Sequence, residues 1–256
     1  MIYRISSRSN EKVRSLVKDK SKDRYLVFEG EKLAADILNR GVPVSILVID
    51  EKMENDFIIP SQARVGDTWY VSDTVIDKIS SLSEKPAVIA VLQWQGGLID
   101  FASVKAAICL DNIQDPANAG TVSRCAAAFG IDSIAFTGES VNIANPKFLR
   151  AAQDSFFNLK YRRFKDVEEL LQEVKEKNPS IHIYLTSSHS TPHVVSPTQI
   201  QFPCLVVFGN EGKGLKQSLF ESYPSVMIPQ TEMVESLNVG VSACIVMYEI
   251  FSRRVS

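Results

Sequence analysis

A chain of 256 residues with a formal net charge of −2 is long enough for one large α/β domain or two smaller ones, each with its own core. That charge does not advertise a broad phosphate-binding surface, which usually leaves a protein strongly basic. The start of the chain is polar and charged, and no apolar run approaches the roughly 20 residues that span a bilayer, so neither secretion nor membrane insertion is expected and the chain reads as cytoplasmic.

In chain order, the opening "RISSRSNEKVRSLVKDKSKDR" is rich in arginine and lysine and has helical spacing at Val13, Leu16 and Val17. A basic run of this kind is usually a solvated face. "YLVFEG" then reads as a strand and "EKLAADILNRG" as a helix stopped at Gly41. "SILVID", "TWYVS" and "AVIAVLQW" continue as strands, with "DTVIDKISSLS" as a capped helix between the last two. Gly96 and Gly97 follow together and mark a linker over 97–104, dividing the chain into domains 1–96 and 105–256.

Beyond the linker the alternation is regular. "AAICLDNI", "SIAFTG", "HIYLTSS", "CLVVFGN" and "VMIPQ" read as strands. "NAGTVSRCAAAFG", "NPKFLRAAQDSFF", "VEELLQEVKEKN", "KGLKQSLFESY" and the final stretch read as helices, and "KYRRFK" as a second basic cluster. Apolar strands flanked by helices predict an α/β domain, with a mostly parallel sheet covered on both faces. No internal repeat or low-complexity tract interrupts it. Three of the four cysteines, at 109, 125, 204 and 244, lie in apolar runs without C-x-x-C spacing. They are expected to be reduced core thiols, with neither a disulfide framework nor a zinc site.

In an open parallel sheet, ligands bind beyond the carboxyl ends of the strands. Three polar turns fall there: "DNIQDPANAGTVSRCAAAFGID", "VVFGNEGKGL" and "TEMVESLNVGVSACIVMYEI". Each has an equally good structural reading. Asn118, Ser236 and Asn238 suit helix N-caps, Gly212 and Gly214 suit tight turns, and Arg124 could run its stem to solvent. Together they are harder to dismiss. "GNEGKG" matches neither the dinucleotide fingerprint nor a phosphate loop. His189 and His193 flank Pro192, which opposes a helix presenting both to a metal. No G-x-S-x-G elbow is present either.

In order and spacing, these turns resemble the three signature motifs of the SpoU (TrmH) family of RNA ribose 2′-O-methyltransferases, in the SPOUT class. "DPANAGTVSRCAAAFG" looks like motif one, "FGNEGKGL" like motif two and "MIPQTEMVESLNVGVSA" like motif three. The resemblance covers about 105–252, and "RSNEKVRSLVKDKSKDRYLVFEGEKLAADIL" looks, more loosely, like the ribosomal-protein-like substrate-binding domain of some members. It implies a C-terminal deep trefoil knot, S-adenosylmethionine as cofactor, a homodimer and an RNA substrate; from the histidine and cysteine spacing, no metal is expected. Ribosomal RNA of the large subunit is the expected target. A transfer RNA, or a non-catalytic RNA-binding or ribosome-assembly role, is the alternative.

Carried over residue by residue, Asn118, Arg124, Glu211, Ser236 and Asn238 occupy the family's catalytic positions. Gly209, Asn210, Gly212, Ile228, Pro229, Leu237 and Asn238 fall where the methyl donor is held, and Arg8, Lys12, Arg14 and Arg124 are candidates for RNA contact. An arginine is a donor only at ordinary pH. Arg124 is therefore expected to grip a phosphate and steady the developing alkoxide, with Ser236 or water sharing the proton path. Two residues depart from the pattern: Asp154 where glycine is frequent, and Gly240 where serine is common.

Overall fold

The computed structural model describes residues 1–20, 25–93, 98–187, 192–231 and 233–255. Gly96 and Gly97 of the expected linker, Lys22 and Arg24 of the basic run, and His189 lie outside them. Contacts divide the chain into two units, Met1–Gln95 with Ile143–Asp154, and Gly96–Asn142 with Ser155–Ser256.

The first unit is a five-stranded mixed sheet in the order β1-β4-β3-β5-β2, built from β1 (Ile2–Ile5), β2 (Tyr25–Glu29), β3 (Val44–Asp50), β4 (Val65–Val71) and β5 (Val88–Gln93). Strands β1, β4 and β3 run parallel, whereas β5 is antiparallel to β3 and β2. Helices α1 (Glu11–Lys20) and α3 (Asp73–Ile79) supply Val13, Leu16, Val75, Ile76 and Ile79 to one core with Val27, Val48, Trp69 and Val91. Alternate sheet residues point the other way. Helix α2 (Glu31–Asn39) buries Ala34, Ile37 and Leu38. The cap expected for α3 is weaker than its sequence suggests, since Ser72 makes no side-chain capping bond and the helix stops at Ile79. Helix α5 (Pro146–Ala152), from the second half of the sequence, packs on β2 in this unit. Asp154 beyond it pairs with Arg40 at 2.5 Å.

The second unit is a seven-stranded, wholly parallel sheet in the order β10-β12-β9-β11-β6-β7-β8. Its strands are β6 (Ala106–Asp111), β7 (Ser133–Thr137), β8 (Lys160–Arg163), β9 (His182–Thr186), β10 (Val194–Val195), β11 (Cys204–Phe208) and β12 (Ser225–Val226). β6, β7 and β11 are buried along their whole length, as expected of strands covered on both faces. Helices α4 (Pro116–Ala128), α6 (Val167–Lys177) and α7 (Val239–Val255) complete the unit, and α4 packs on α7. From β6 the chain moves outward to β7 and β8, then returns on the other side and lays β11 beside β6. The direction of winding therefore reverses between β6 and β11, the place where an open parallel sheet offers a crevice.

Several sequence expectations are corrected. "KYRRFK" is not merely a solvated cluster: it carries edge strand β8, with Tyr161 buried and Arg162 paired to Glu173 at 2.5 Å. "KGLKQSLFESY" forms only a short 3-10 turn over Gln217–Glu221 rather than a helix, and of "VMIPQ" only Val226 is in strand. The helix opening at Pro146 gives way to a 3-10 segment, Gln153–Asn158, before "DSFF" is complete. The cysteines are not all reduced. Cys125 on α4 and Cys244 on α7 form a disulfide, while Cys109 and Cys204 are buried thiols outside that bridge. Residues 119 apart in sequence are brought together by the packing of two helices, which no spacing rule reveals.

Candidate active site

The loop leaving β6 is shaped first by Asp111 and Asn112. Asp111 is buried and accepts hydrogen bonds from Thr137 Oγ1 at 2.6 Å and Asn112 Nδ2 at 2.9 Å. Helix α4 then begins at Pro116, with Asp115 as its cap, accepting from the backbone of Ala117 and Asn118. Proline in the first turn and aspartate before it form a strong start signal. Asn118 is thus not the N-cap. Its side chain is released from capping and turns to two other loops.

Asn118 Nδ2 donates to Glu211 Oε1 at 3.1 Å, and Asn118 Oδ1 accepts from Asn238 Nδ2, also at 3.1 Å. Asn238 is the cap of α7: its Oδ1 accepts from the backbone of Gly240 at 2.9 Å and Val241 at 3.3 Å. The amides therefore point one way, from the helix N-terminus through Asn238 and Asn118 to the Glu211 carboxylate. All five expected catalytic residues sit on the pieces joined here, because Arg124 lies on the same α4 as Asn118 and Ser236 on the same loop as Asn238. Arg124 and Ser236 are exposed, and no hydrogen bond ties either of them among the described residues.

The turn after β11 is held by Asn210. Its Oδ1 accepts from the backbone of Gly212 at 2.9 Å and Lys213 at 3.0 Å, and its Nδ2 donates to the Asn112 carbonyl at 2.8 Å. Gly209 is enclosed by this turn, where a Cβ would stand 2.7 Å from Gly214 and Leu215. Ile228 and Leu237 are half-buried on the segment that leads from β12 to Asn238, while Pro229 is exposed. At Gly240, a Cβ would lie 3.1 Å from Asn238 Oδ1, so the departure from serine leaves the cap uncrowded. Among the described residues, no cluster of His, Cys, Asp or Glu could hold a metal, and no helix is long and apolar enough to cross a membrane.

Of the residues expected to meet RNA in the first unit, Arg8 bonds the Thr74 carbonyl and Asp77, Lys12 lies 4.1 Å from the Tyr3 ring centroid, and Arg14 donates to the Ser9 carbonyl. All three stay exposed. Sequence reasoning gave no role to Asn112 or Asp115. "QDPAN" contained the capping signal for the latter; the former shows itself only in its backbone angle.

The model of the SpoU rRNA Methylase family matches residues 105–248. The chain belongs to this family. Its SpoU relatives include the 23S rRNA (guanosine(2553)-2′-O)-methyltransferase RlmP of Bacillus subtilis, 29% identical, with 96% of this chain and 98% of that protein covered. They also include the 23S rRNA (uridine(2479)-2′-O)-methyltransferase of Streptomyces viridochromogenes, 27% identical over 86% of this chain and 79% of that one. The SpoU fold recurs in the S. viridochromogenes methyltransferase AviRb with AdoMet, at TM-score 0.81 and 20% identity, covering 96% of this chain and 99% of that one. It recurs too in an AdoMet-bound rRNA methyltransferase from Sinorhizobium meliloti, at TM-score 0.82 and 22% identity, covering 100% and 99%.

Proposed function

We propose that the protein transfers a methyl group from S-adenosylmethionine to a ribose 2′-hydroxyl of structured RNA, with large-subunit ribosomal RNA as its target. The observation that carries this reading is the hydrogen-bonded junction of Asn118, Glu211 and Asn238, which unites the three motif loops beside β6 and β11. The ribosomal target is supported by the RlmP relative, whose similarity runs over nearly the whole of both chains.

When bound, S-adenosylmethionine supplies an activated methyl group, so much of the acceleration comes from placing the acceptor hydroxyl in line. Gly209, Asn210, Gly212, Ile228, Pro229, Leu237 and Asn238 would hold the methyl donor. Arg124, exposed and unengaged in the described structure, has five N–H donors for a substrate phosphate and for the charge that grows on the 2′-oxygen. Ser236 presents a hydroxyl to the proton path. Asn118 keeps Glu211 and Asn238 at fixed separation, so that the acceptor and donor sides of the site do not drift apart.

The reading extends to the first unit as the RNA-holding domain, through Arg8, Lys12 and Arg14, and to the cytoplasm as the compartment. It includes a trefoil knot in the second unit and a homodimer. Exposed Val241 and Tyr248 on α7, with Met233 and Val234 before it, are apolar surface that a second copy would cover. Mapping 2′-O-methylated positions in total RNA with and without the protein tests the reading. Loss of one ribosomal mark supports it, loss of a transfer-RNA mark redirects it, and an unchanged map together with RNA binding would leave an assembly factor.

A further inference from the structure

The turn that carries Glu211 is shaped from outside, by a residue on the loop leaving β6. Asn112 follows β6 with a left-handed backbone, φ 56°, a region that asparagine tolerates better than most residues. In this conformation its carbonyl accepts from Asn210 Nδ2 at 2.8 Å. Asn210 also ties the turn itself, with Oδ1 accepting from the Gly212 and Lys213 amides and its carbonyl from the Gly214 amide at 2.9 Å. Glu211 is enclosed between these bonds.

Asn112 is itself clamped. Its Nδ2 donates to Asp111 at 2.9 Å and its Oδ1 accepts the Glu139 amide at 2.9 Å. Gly138, φ 56°, passes so close that a Cβ there would stand 2.3 Å from Asn112 Oδ1. The segment carrying Gly138 is fixed in turn by Arg163, which donates to the carbonyls of Gly138, Ser140 and Val141 at 3.2, 2.9 and 2.6 Å.

We infer that Asn112 is a positioning residue whose left-handed main chain sets the 210–214 turn through Asn210, and thereby the placement of Glu211 and of the main chain that would face the methyl donor. This rests on the methyl-transfer reading of the site. A role confined to stability would make the side-chain amide matter most. Positioning makes the backbone angle matter most, because the bond to Asn210 is made by the carbonyl.

Three full-length variants separate these. Asn112→Gly keeps the left-handed angle and the carbonyl while deleting the amide. It should melt at lower temperature, yet keep kcat and the calorimetric Kd for S-adenosylmethionine within about threefold of the parent. Asn112→Val disfavours the angle, and should weaken that Kd and lower kcat by roughly tenfold or more, with the KM for RNA nearly unchanged. Asn210→Asp keeps the acceptor for Gly212 and Lys213 but sets a carboxylate against the Asn112 carbonyl, and is read by hydrogen exchange alone, because Asn210 is itself placed against the methyl donor. If Asn112→Val does not fold, Asn112→Ala and Asn210→Asp carry the comparison.

Hydrogen exchange at the 212–214 amides needs neither methyl donor nor RNA, and should quicken in the valine and aspartate variants but not in the glycine variant. Equal exchange and equal Kd in the glycine and valine variants, or losses that simply follow melting temperature, would overturn the inference. Absence of methyl transfer in the parent itself, with the exchange pattern as stated, would instead overturn the methyl-transfer reading and leave the positioning of the turn standing.

Discussion

Asn118 donates a 3.1 Å hydrogen bond to the carboxylate of Glu211, 93 residues further along the chain. The same amide accepts from Asn238 at 3.1 Å, so its orientation is fixed from both sides. Asn118→Asp would replace the donor with a second carboxylate facing Glu211. We expect methyl transfer to fall by about 100-fold, the scale of a lost charge-assisted bond plus like-charge repulsion. Melting should stay cooperative, since Asn118 is only half-buried and α4 keeps its Asp115 cap. Timed methyl incorporation alongside circular dichroism checks both halves, and full activity would remove the junction from the mechanism.

Arg124 gives the opposite profile. It is exposed and no side-chain hydrogen bond ties it among the described residues, so Arg124→Ala should change unfolding free energy by no more than about 0.5 kcal/mol. Activity should nevertheless be nearly abolished. Arg124→Lys retains charge but not the planar fork, and is expected to recover little. Turnover close to the parent's in the lysine variant, with the same pH profile, would contradict the phosphate-gripping role.

Helix α4 and the start of α7 are joined twice, by the hydrogen bond from the Asn238 cap to Asn118 and by the Cys125–Cys244 disulfide. Closing a loop of this length is worth about 4–5 kcal/mol in the chain-entropy account, and typically about 2–4 kcal/mol when measured. Reductant should therefore lower the melting temperature, and a Cys125→Ser, Cys244→Ser protein should melt at the lower temperature with or without it. Denatured but unreduced protein should titrate as two thiols, and as four after reduction. In the native state Cys109 should resist alkylation, because burial pushes its thiol pKa up and leaves little thiolate.

The first unit calls for charge changes rather than deletion. Strand β1 pairs with β4 and α1 buries Val13 and Leu16, so removing residues 1–24 would strip a strand and part of a core. Lys12→Gln and Arg14→Gln each leave that framework in place. If these side chains meet phosphate, each change should weaken RNA binding across sequences and reduce the slope of log affinity against log salt by about 1. S-adenosylmethionine binding should not move. Unaltered salt slopes in both variants would exclude this face from RNA contact.

The sequence made the parallel sheet legible where strands are buried on both sides: "AAICLD" and "CLVVF" have no polar residue to compete with the pattern except at a strand end. It concealed β8, because an edge strand with "KYRR" exposes half of what it pairs, and charge then dominates its appearance. The site residues were visible through resemblance, but their bonding was not. Asn118 looked like a cap because asparagine is a good one; only the stronger "DP" start three residues earlier shows why its amide is free for Glu211. Asn112 carries its role in a backbone angle and the cysteine bridge depends on helix packing, and neither leaves a local trace.

The sheet order has a kinetic consequence. β6 and β11 lie side by side, yet β7, β8, β9 and β10 all come between them in sequence, and Asn238 joins Asn118 across 120 residues. Such contacts pay their loop-closure entropy early and are rewarded late. A ribosome releasing this chain has therefore already synthesised every strand of the sheet before the last partner of Asn118 emerges. Methyl transfer, once it begins, reports a chain that has finished folding.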